Sequence, residues 1–238
     1  MNILKEVQDI VGSKGIIIGE DVFNRKAGIW IDDGIRAQAI VRPKDTEELS
    51  KVLALCNKHK QPIVPHGGLT GLAEGAISKK TEVVISSERL TEIEAIDTIG
   101  RTMTVQAGVP LEKAQQAAEE NNLMLAVDLG ARGSCTIGGN ISTNAGGNMV
   151  IKYGMTRDSV LGLEAVLANG EIVTSLNQML KNNSGYDLKQ LFIGTEGTLG
   201  FVTKAVLRLR EKPKSCSTGL LAINSFDKVS KFLKHIDQ

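Results

Sequence analysis

Aromatic side chains are scarce in this chain of 238 residues: one Trp, two Tyr and five Phe make up 3% of it. Little is present on which bases could stack. The 28 Lys+Arg against 27 Asp+Glu leave a formal charge of +1, which gives a phosphate backbone nothing to follow. Nucleic acid is therefore not an expected partner. Cysteine is also rare, and Cys56, Cys135 and Cys216 lie about 80 residues apart without a CxxC pair. An odd, dispersed set excludes a disulfide framework and a zinc cluster, and fits a reducing compartment. His59, His66 and His235 form neither HExxH nor a chelating pair, and no GxSxG elbow occurs, so no metal site and no hydrolase machinery is expected. His59 reads as a solvated residue at a helix C-terminus and His235 as one on the polar side of the last helix. GxGxxG and GxxxxGK[ST] are missing as well.

No apolar run approaches the ~20 residues needed to span a bilayer. The first residues, MNILKEVQDIVGSKG, carry acids and amides where the apolar part of a signal peptide would be. The expectation is a cytoplasmic protein with no transmembrane segment, touching a membrane only if an electron-accepting partner sits there. With 42% apolar residues, a core for one domain or a closely joined pair is within reach.

Glycine is what the chain has in abundance, and its placement is uneven. Of 25 glycines, four fall in residues 67–75, seven in 130–154 and three in 194–200. Glycine loses more backbone entropy on folding than any other residue. It gathers where φ must be positive or where a backbone or ligand approaches closer than a Cβ permits. Tight turns explain any one such cluster; three, each beside an apolar run, suggest a ligand.

Between the clusters the pattern is mixed α and β. Ala37 to Val41 reads as a strand. Asp45, with Glu48 three residues on, reads as the N-cap of a helix whose apolar side is Leu49, Val52, Leu53 and Cys56. Pro62 to Pro65 and Glu82 to Ser86 are short strands. Pro110 opens a second helix with Leu111, Ala114, Ala117 and Ala118 on one side. Gly162 to Ala168 and Glu171 to Leu176 flank Asn169-Gly170, a strong hairpin signature. Phe201, Thr203, Ala205, Leu207 and Leu209 alternate with Lys204, Arg208 and Arg210, as in a strand with one buried face. The second half is thus largely antiparallel. Leu220 to Ile223 reads as a strand, and Ser225 as the cap of a helix carrying Val229, Phe232, Leu233 and Ile236 on one face.

PHGGLTG (65–71) offers successive backbone N–H groups with little side-chain obstruction, a concavity that holds an anion without lysine. SCTIGGNISTNAGG (134–147) adds the hydroxyls of Ser134, Thr136, Ser142 and Thr143 and the amides of Asn140 and Asn144, suiting a longer polar ligand. GTEGTLGF (194–201) could set bare backbone against a flat ring. Together they suggest one extended cofactor with a diphosphate centre.

The strings PHGGLTGLAEGA, AVDLGARGSCTIGGNISTNAGG, YGMTRDSVLGLEAVLANGE and NNSGYDLKQLFIGTEGTLGFVT resemble the FAD-binding domain of the vanillyl-alcohol oxidase flavoprotein family, over about residues 37–210. Within it they are most similar to the D-2-hydroxyacid dehydrogenases: those of D-2-hydroxyglutarate and D-lactate, and the flavin subunit of glycolate oxidase. The resemblance implies an α+β fold of two subdomains with FAD between them. It implies an N-terminal segment (1–36), the FAD-binding domain (37–212) and the start of a substrate domain (213–238). By motif, Pro65, His66, Gly67, Gly68, Leu69, Thr70, Gly71 and Leu72 would wrap the diphosphate. Leu129, Gly130, Ser134 and Cys135 would pass the flavin and ribityl region. Gly138, Gly139, Asn140, Thr143 and Gly147 would line ribityl and diphosphate, and Glu196, Gly197, Gly200, Phe201 and Val202 would reach the cofactor from the other subdomain. For Glu196 the rival reading is a solvated acid, and for Phe201 a core residue.

In covalent relatives the linking histidine follows the Gly-Gly pair, where Leu69 stands here, so the resemblance implies non-covalent FAD. It implies oxidation of a small D-2-hydroxy acid, hydride passing to the flavin as a base removes the hydroxyl proton, and an electron acceptor whose identity no motif gives. The family's substrate-binding arginine, metal ligands and catalytic histidine belong to the substrate domain, so no catalytic residue is assigned here. The chain alone is expected to be catalytically incompetent. A truncated enzyme, one completed by another polypeptide, and a non-catalytic flavin-binding or assembly module all stay open. So does a homodimer burying the last helix. The NADPH-dependent reductase of peptidoglycan precursor synthesis has a similar diphosphate loop but different motifs.

Overall fold

The computed structural model describes residues 3–236, arranged as two α+β lobes. The first comprises α1 (Ile3–Val11), β1 (Ile16–Ile18), α2 (Glu20–Phe23), β2 (Ala39–Val41), α3 (Thr46–Lys58), β3 (Ile63–His66) and β4 (Val83–Ser86). Asp45 opens α3 as its spacing from Glu48 predicts. Its carboxylate accepts from the Glu48 N–H at 2.7 Å, and the Glu48 carboxylate accepts from the Lys44 N–H at 3.0 Å. Leu49, Val52, Leu53 and Cys56 are all buried. By crossing over the sheet, α3 lets β2 and β3 flank β4 in parallel, in the order β1-β2-β4-β3. β1 adds antiparallel to β2, and Val7 and Val11 of α1 enter the same core, so residues ahead of 37 build this lobe too. His59 ends α3 with Nε2 3.5 Å from Glu6.

The second lobe comprises β5 (Ile93–Asp97), β6 (Thr102–Gln106), α4 (Leu111–Glu120), β7 (Leu123–Met124), α5 (Ile137–Ser142), α6 (Val150–Tyr153), α7 (Thr156–Ser159), β8 (Val160–Val166), β9 (Ile172–Ser175), β10 (Phe201–Arg208) and β11 (Arg210–Glu211). Its five-stranded sheet, in the order β5-β6-β10-β8-β9, is antiparallel throughout. Leu111, Ala114 and Ala118 of α4 and Ile137 and Ile141 of α5 pack with Met103, Val105, Ala205 and Leu207 to form its core. Gly170 turns the chain between β8 and β9 at φ 89°, donating to the Leu167 carbonyl at 2.9 Å. Its own carbonyl accepts from Ser50 Oγ of α3 at 2.6 Å, so the hairpin leans on the first lobe.

Two expectations fail, each for a physical reason. In β10 the register shifts between Val202 and Lys204, so Phe201 does not share a face with Ala205 and Leu207. Phe201 and Val166 pack into the first lobe's core, whereas Val202, Ala205 and Leu207 pack into the second's. As the central strand, β10 is also covered on both faces, with Val206 fully buried. The second failure is Leu220 to Ile223, which forms no strand: no neighbouring chain pairs with it and Leu220 is wholly exposed. Beyond it, α8 (Phe226–Ile236) starts where predicted, with Ser225 Oγ accepting from the Lys228 N–H at 3.3 Å. None of its residues is buried.

At the seam the Glu164 carboxylate, 9% exposed, accepts from Thr46 Oγ1 of α3 at 2.7 Å and from Thr203 Oγ1 of β10 at 2.8 Å. Both hydroxyls are buried, so one acid ties the lobes together.

Candidate cofactor site

Where β3 ends, the chain leaves the sheet at His66 and runs through a glycine-rich loop along a cavity of about 590 Å³. Among the described residues, the N–H groups of Gly67, Gly68, Leu69, Thr70, Gly71 and Leu72 meet no acceptor. Leu69 sits at φ 56°, a conformation rare for a branched side chain, so the loop curls there instead of extending. A run of unpaired donors around a left-handed residue is the arrangement that cradles an anion. His66, 3% exposed, closes the loop at its neck: Nε2 lies 2.8 Å from the Ala76 carbonyl, so that nitrogen carries the proton. Burial above all pulls its pKa below the ordinary value, favouring neutral imidazole.

Opposite the loop stands the start of α5. Its first donors are already engaged: Ile137 N–H on the Val109 carbonyl at 2.9 Å, Gly138 N–H on that of Ala107 at 2.7 Å, and Gly139 N–H on the Thr136 Oγ1 cap at 3.4 Å. This wall thus supplies close backbone approach, and the loop supplies the free donors. Asn140 differs, because it is 4% exposed and its Nδ2 reaches no oxygen acceptor among the described residues, the Cys135 sulfur beside it being only a weak acceptor. A buried amide without a full acceptor costs up to about 1–3 kcal/mol unless a ligand accepts from it. Burial raises the pKa of the Cys135 thiol, which outweighs the Asn140 contact that lowers it. The thiol therefore stays protonated at neutral pH.

The third wall crosses from the second lobe. Gly194 N–H donates to the Ile141 carbonyl at 3.1 Å and Glu196 N–H to that of Ser142 at 2.8 Å, pinning this turn to the end of α5. Gly197, at φ 84°, lies where a Cβ would come 2.7 Å from the Pro65 ring, so the turn abuts β3.

Pro65 to Leu72, Leu129, Gly130, Cys135, Gly138, Gly139, Asn140, Thr143, Glu196, Gly197, Phe201 and Val202 all line the cavity. Ser134, Gly147 and Gly200 do not; the two glycines instead let neighbouring segments pack closely. A Cβ on Gly147 would stand 2.0 Å from the Asp128 carbonyl oxygen, and one on Gly200 2.9 Å from the Phe192 ring. Sequence reasoning missed Ala27, the 73–76 stretch, Ser87, Ala107, Ala131, Ala145 and Gly146 in the lining, whereas Thr136 and Ser142, whose hydroxyls it singled out, do line the cavity. No Lys or Arg lines the cavity.

Residues 37–175 match the model of a family described as FAD binding domain. The chain belongs to that family. FAD is accordingly the cofactor, and the architecture is the two-subdomain α+β fold of vanillyl-alcohol oxidase type. A D-2-hydroxyglutarate dehydrogenase of Xanthomonas citri pv. viticola is 49% identical over 79% of this chain and 40% of its own length. The mitochondrial D-2-hydroxyglutarate dehydrogenase of Danio rerio is 43% identical over 81% of this chain and 36% of its own. The D-2-hydroxyglutarate dehydrogenase of Stutzerimonas stutzeri is 38% identical over 97% of this chain and 50% of its own. The chain therefore spans half or less of the length of these relatives. A solved structure of alkyldihydroxyacetonephosphate synthase, 21% identical, superposes at TM-score 0.79 over 90% of this chain and 41% of its own, a likeness of fold.

The residues present fit FAD. Six free N–H groups suit a diphosphate, and the Asn140 amide, without an oxygen acceptor of its own, suits one on the ribityl chain or ring. At Gly71 and Gly130 a Cβ would meet nothing within 4 Å, so the walls stand back there. With no Lys or Arg among the lining residues, what this chain offers the phosphate charge is its backbone dipoles.

Proposed function

We propose that this chain is the FAD-holding part of an oxidoreductase that converts a D-2-hydroxy acid to the 2-oxo acid, with D-2-hydroxyglutarate as the first candidate and D-lactate and glycolate as alternatives. The observation that carries the reading is the run of unpaired N–H groups from Gly67 to Leu72 facing the cavity. Relatives named D-2-hydroxyglutarate dehydrogenase support the substrate class.

When bound, FAD supplies a two-electron acceptor for the hydride of the substrate α-carbon. The chain's own share is positioning. The 67–72 loop holds the diphosphate, Asn140 donates to the polar middle of the cofactor, and Glu196 and Gly197 close the cavity from the second lobe. Attachment is non-covalent, since Leu69 stands where a linking side chain would be. Residues 213–238 begin the substrate domain, whose surface covers the exposed Leu233 and Ile236 of α8. The catalytic base and the substrate's carboxylate partners lie outside the described residues, and a separate acceptor, cytoplasmic or at a membrane surface, takes the electrons.

The experiment is FAD reconstitution followed by absorption spectroscopy. Turnover of D-2-hydroxyglutarate, D-lactate and glycolate with an artificial acceptor is then measured for this chain and for a longer one completed at the C-terminus. We expect the chain alone to be apo or only weakly flavinylated as isolated, measurable flavin binding by both after reconstitution, and turnover only by the longer chain. Lack of flavin binding overturns the cofactor assignment. A longer chain inert toward all three acids overturns the substrate class.

A further inference from the structure

We propose that the first lobe carries a second binding pocket, for a small organic anion with an apolar body. It encloses about 430 Å³, within the ~300–1,000 Å³ of small-molecule sites, and shares only Ala27 with the cofactor cavity. Buried Ile35 and the side chains of Ile31 and Ile77 form its apolar part.

Its polar part is what points to a ligand. Ser78 is 4% exposed and lines the pocket, yet its Oγ has no hydrogen-bond partner among the described residues. A hydroxyl hidden from water without an acceptor is unfavourable, and an anion in the pocket would relieve it. Beside it Lys79 and Lys80 are exposed, and no ion pair engages either ammonium among the described residues. Arg36 also lines the pocket. Its one carboxylate, Asp33 at 2.6 Å, makes a solvated pair that an incoming anion can displace at little cost. The Glu82 carboxylate, which accepts from the Lys79 backbone N–H at 2.7 Å, keeps its charge beside the mouth, and with it counted the balance is three cations against two acids, still positive.

The combination selects the ligand's chemistry. A bare inorganic ion would leave Ile31, Ile35 and Ile77 unused, and a neutral apolar molecule would leave Ser78 and the lysines unused. A phosphate or a carboxylate on a compact apolar body uses both. Because the pocket stands on its own lining, the proposal holds whether or not the substrate assignment does.

The test is calorimetric titration of the full chain, FAD-reconstituted, with phenyl phosphate and with benzoate, against inorganic phosphate and benzyl alcohol. Trp30, the single tryptophan and 78% exposed, adjoins Ile31 and gives a second, fluorescent readout. We expect saturable one-to-one binding of an aromatic anion, the tighter of the two identifying the head group. Affinity should fall by about tenfold in the Lys79→Gln/Lys80→Gln double variant and by several-fold in Ser78→Ala, with FAD binding unchanged in both. Absence of saturable binding by either aromatic anion overturns the proposal. So does unchanged affinity in Ser78→Ala together with the double variant, or inorganic phosphate binding as tightly as phenyl phosphate. Should the double variant fail to fold, Ser78→Ala alone decides.

Discussion

Gly68 and Ser134 face each other so closely that a Cβ on the glycine would stand 2.1 Å from the serine carbonyl oxygen. The contact is between backbones, so no side-chain rotation relieves it. Gly68→Ala should therefore loosen the loop against the α5 wall and destabilise the protein by about 1–3 kcal/mol, with loss of FAD. Gly71 is the contrast: a Cβ there meets nothing within 4 Å and its φ is ordinary. Gly71→Val should leave stability within about 0.5 kcal/mol of the parent but weaken FAD by at least about tenfold, because its side chain competes with the ligand alone. Urea denaturation and flavin titration on the two variants separate the cases. Normal FAD affinity in Gly71→Val would place the diphosphate elsewhere.

Glu164→Ala removes the shared acceptor of Thr46 and Thr203 and leaves two buried hydroxyls at the seam. We expect a loss of about 2–4 kcal/mol, and a milder loss for Glu164→Gln, whose amide oxygen still accepts. Chemical denaturation measures both. Equal stability of Glu164→Ala and the parent would mean that water or another group satisfies the hydroxyls.

Local rules carried much of this fold into the sequence. Asp45 and Glu48 announce the start of α3 because capping is decided within four residues, and Asn169-Gly170 announces the β8–β9 turn for the same reason. What the alternation from Phe201 to Leu209 does not reveal is the shift at Thr203, since a bulge answers to the partner strand β8 rather than to its own neighbours. Leu220 to Ile223 has a strand's composition but lacks a partner edge, which only tertiary structure supplies. At the site, glycine clustering found the walls but could not sort them. Gly71 borders open space whereas Gly68 and Gly147 border protein, a distinction that exists only in three dimensions. Ala107 left no trace in the sequence: its methyl and carbonyl meet Gly138, and nothing about an alanine in a strand-like run marks that contact.

Acid should weaken the first lobe through Glu88. Burial disfavours its charged form, but hydrogen bonds and charge from Arg25 at 2.6 Å and Arg42 at 2.8 Å outweigh that and hold its pKa below the ordinary 4.5. A depressed carboxylate pKa contributes stability that is present above 4.5 and lost as pH falls through the folded-state value. Urea midpoints of the parent should therefore drop on acidification below about 4.5 more steeply than those of Glu88→Gln. Parallel curves for the two proteins would remove Glu88 as the source.

His66 acts over a higher window and with its own sign. Burial leads the causes that keep its folded-state pKa below 6.5, the Ala76 carbonyl and Glu88 opposing and Arg25 adding to it. The unfolded chain then takes up a proton near 6.5 that the folded chain refuses, so stability declines as pH drops below 6.5 and levels off below the folded-state value. His66→Gln should abolish that decline while keeping a donor for the Ala76 carbonyl, and so retain most of the FAD affinity. His66→Ala keeps neither the decline nor the donor. With the neck of the loop unpinned, we expect FAD affinity to fall by about tenfold in His66→Ala at pH 7. The decisive comparison is denaturation of all three proteins from pH 8 to pH 5 alongside flavin titration at pH 7. If the parent gains stability relative to His66→Gln on acidification, His66 is held in its charged form by an anion, and its place at the neck of the loop must be explained by charge instead of by the Ala76 bond.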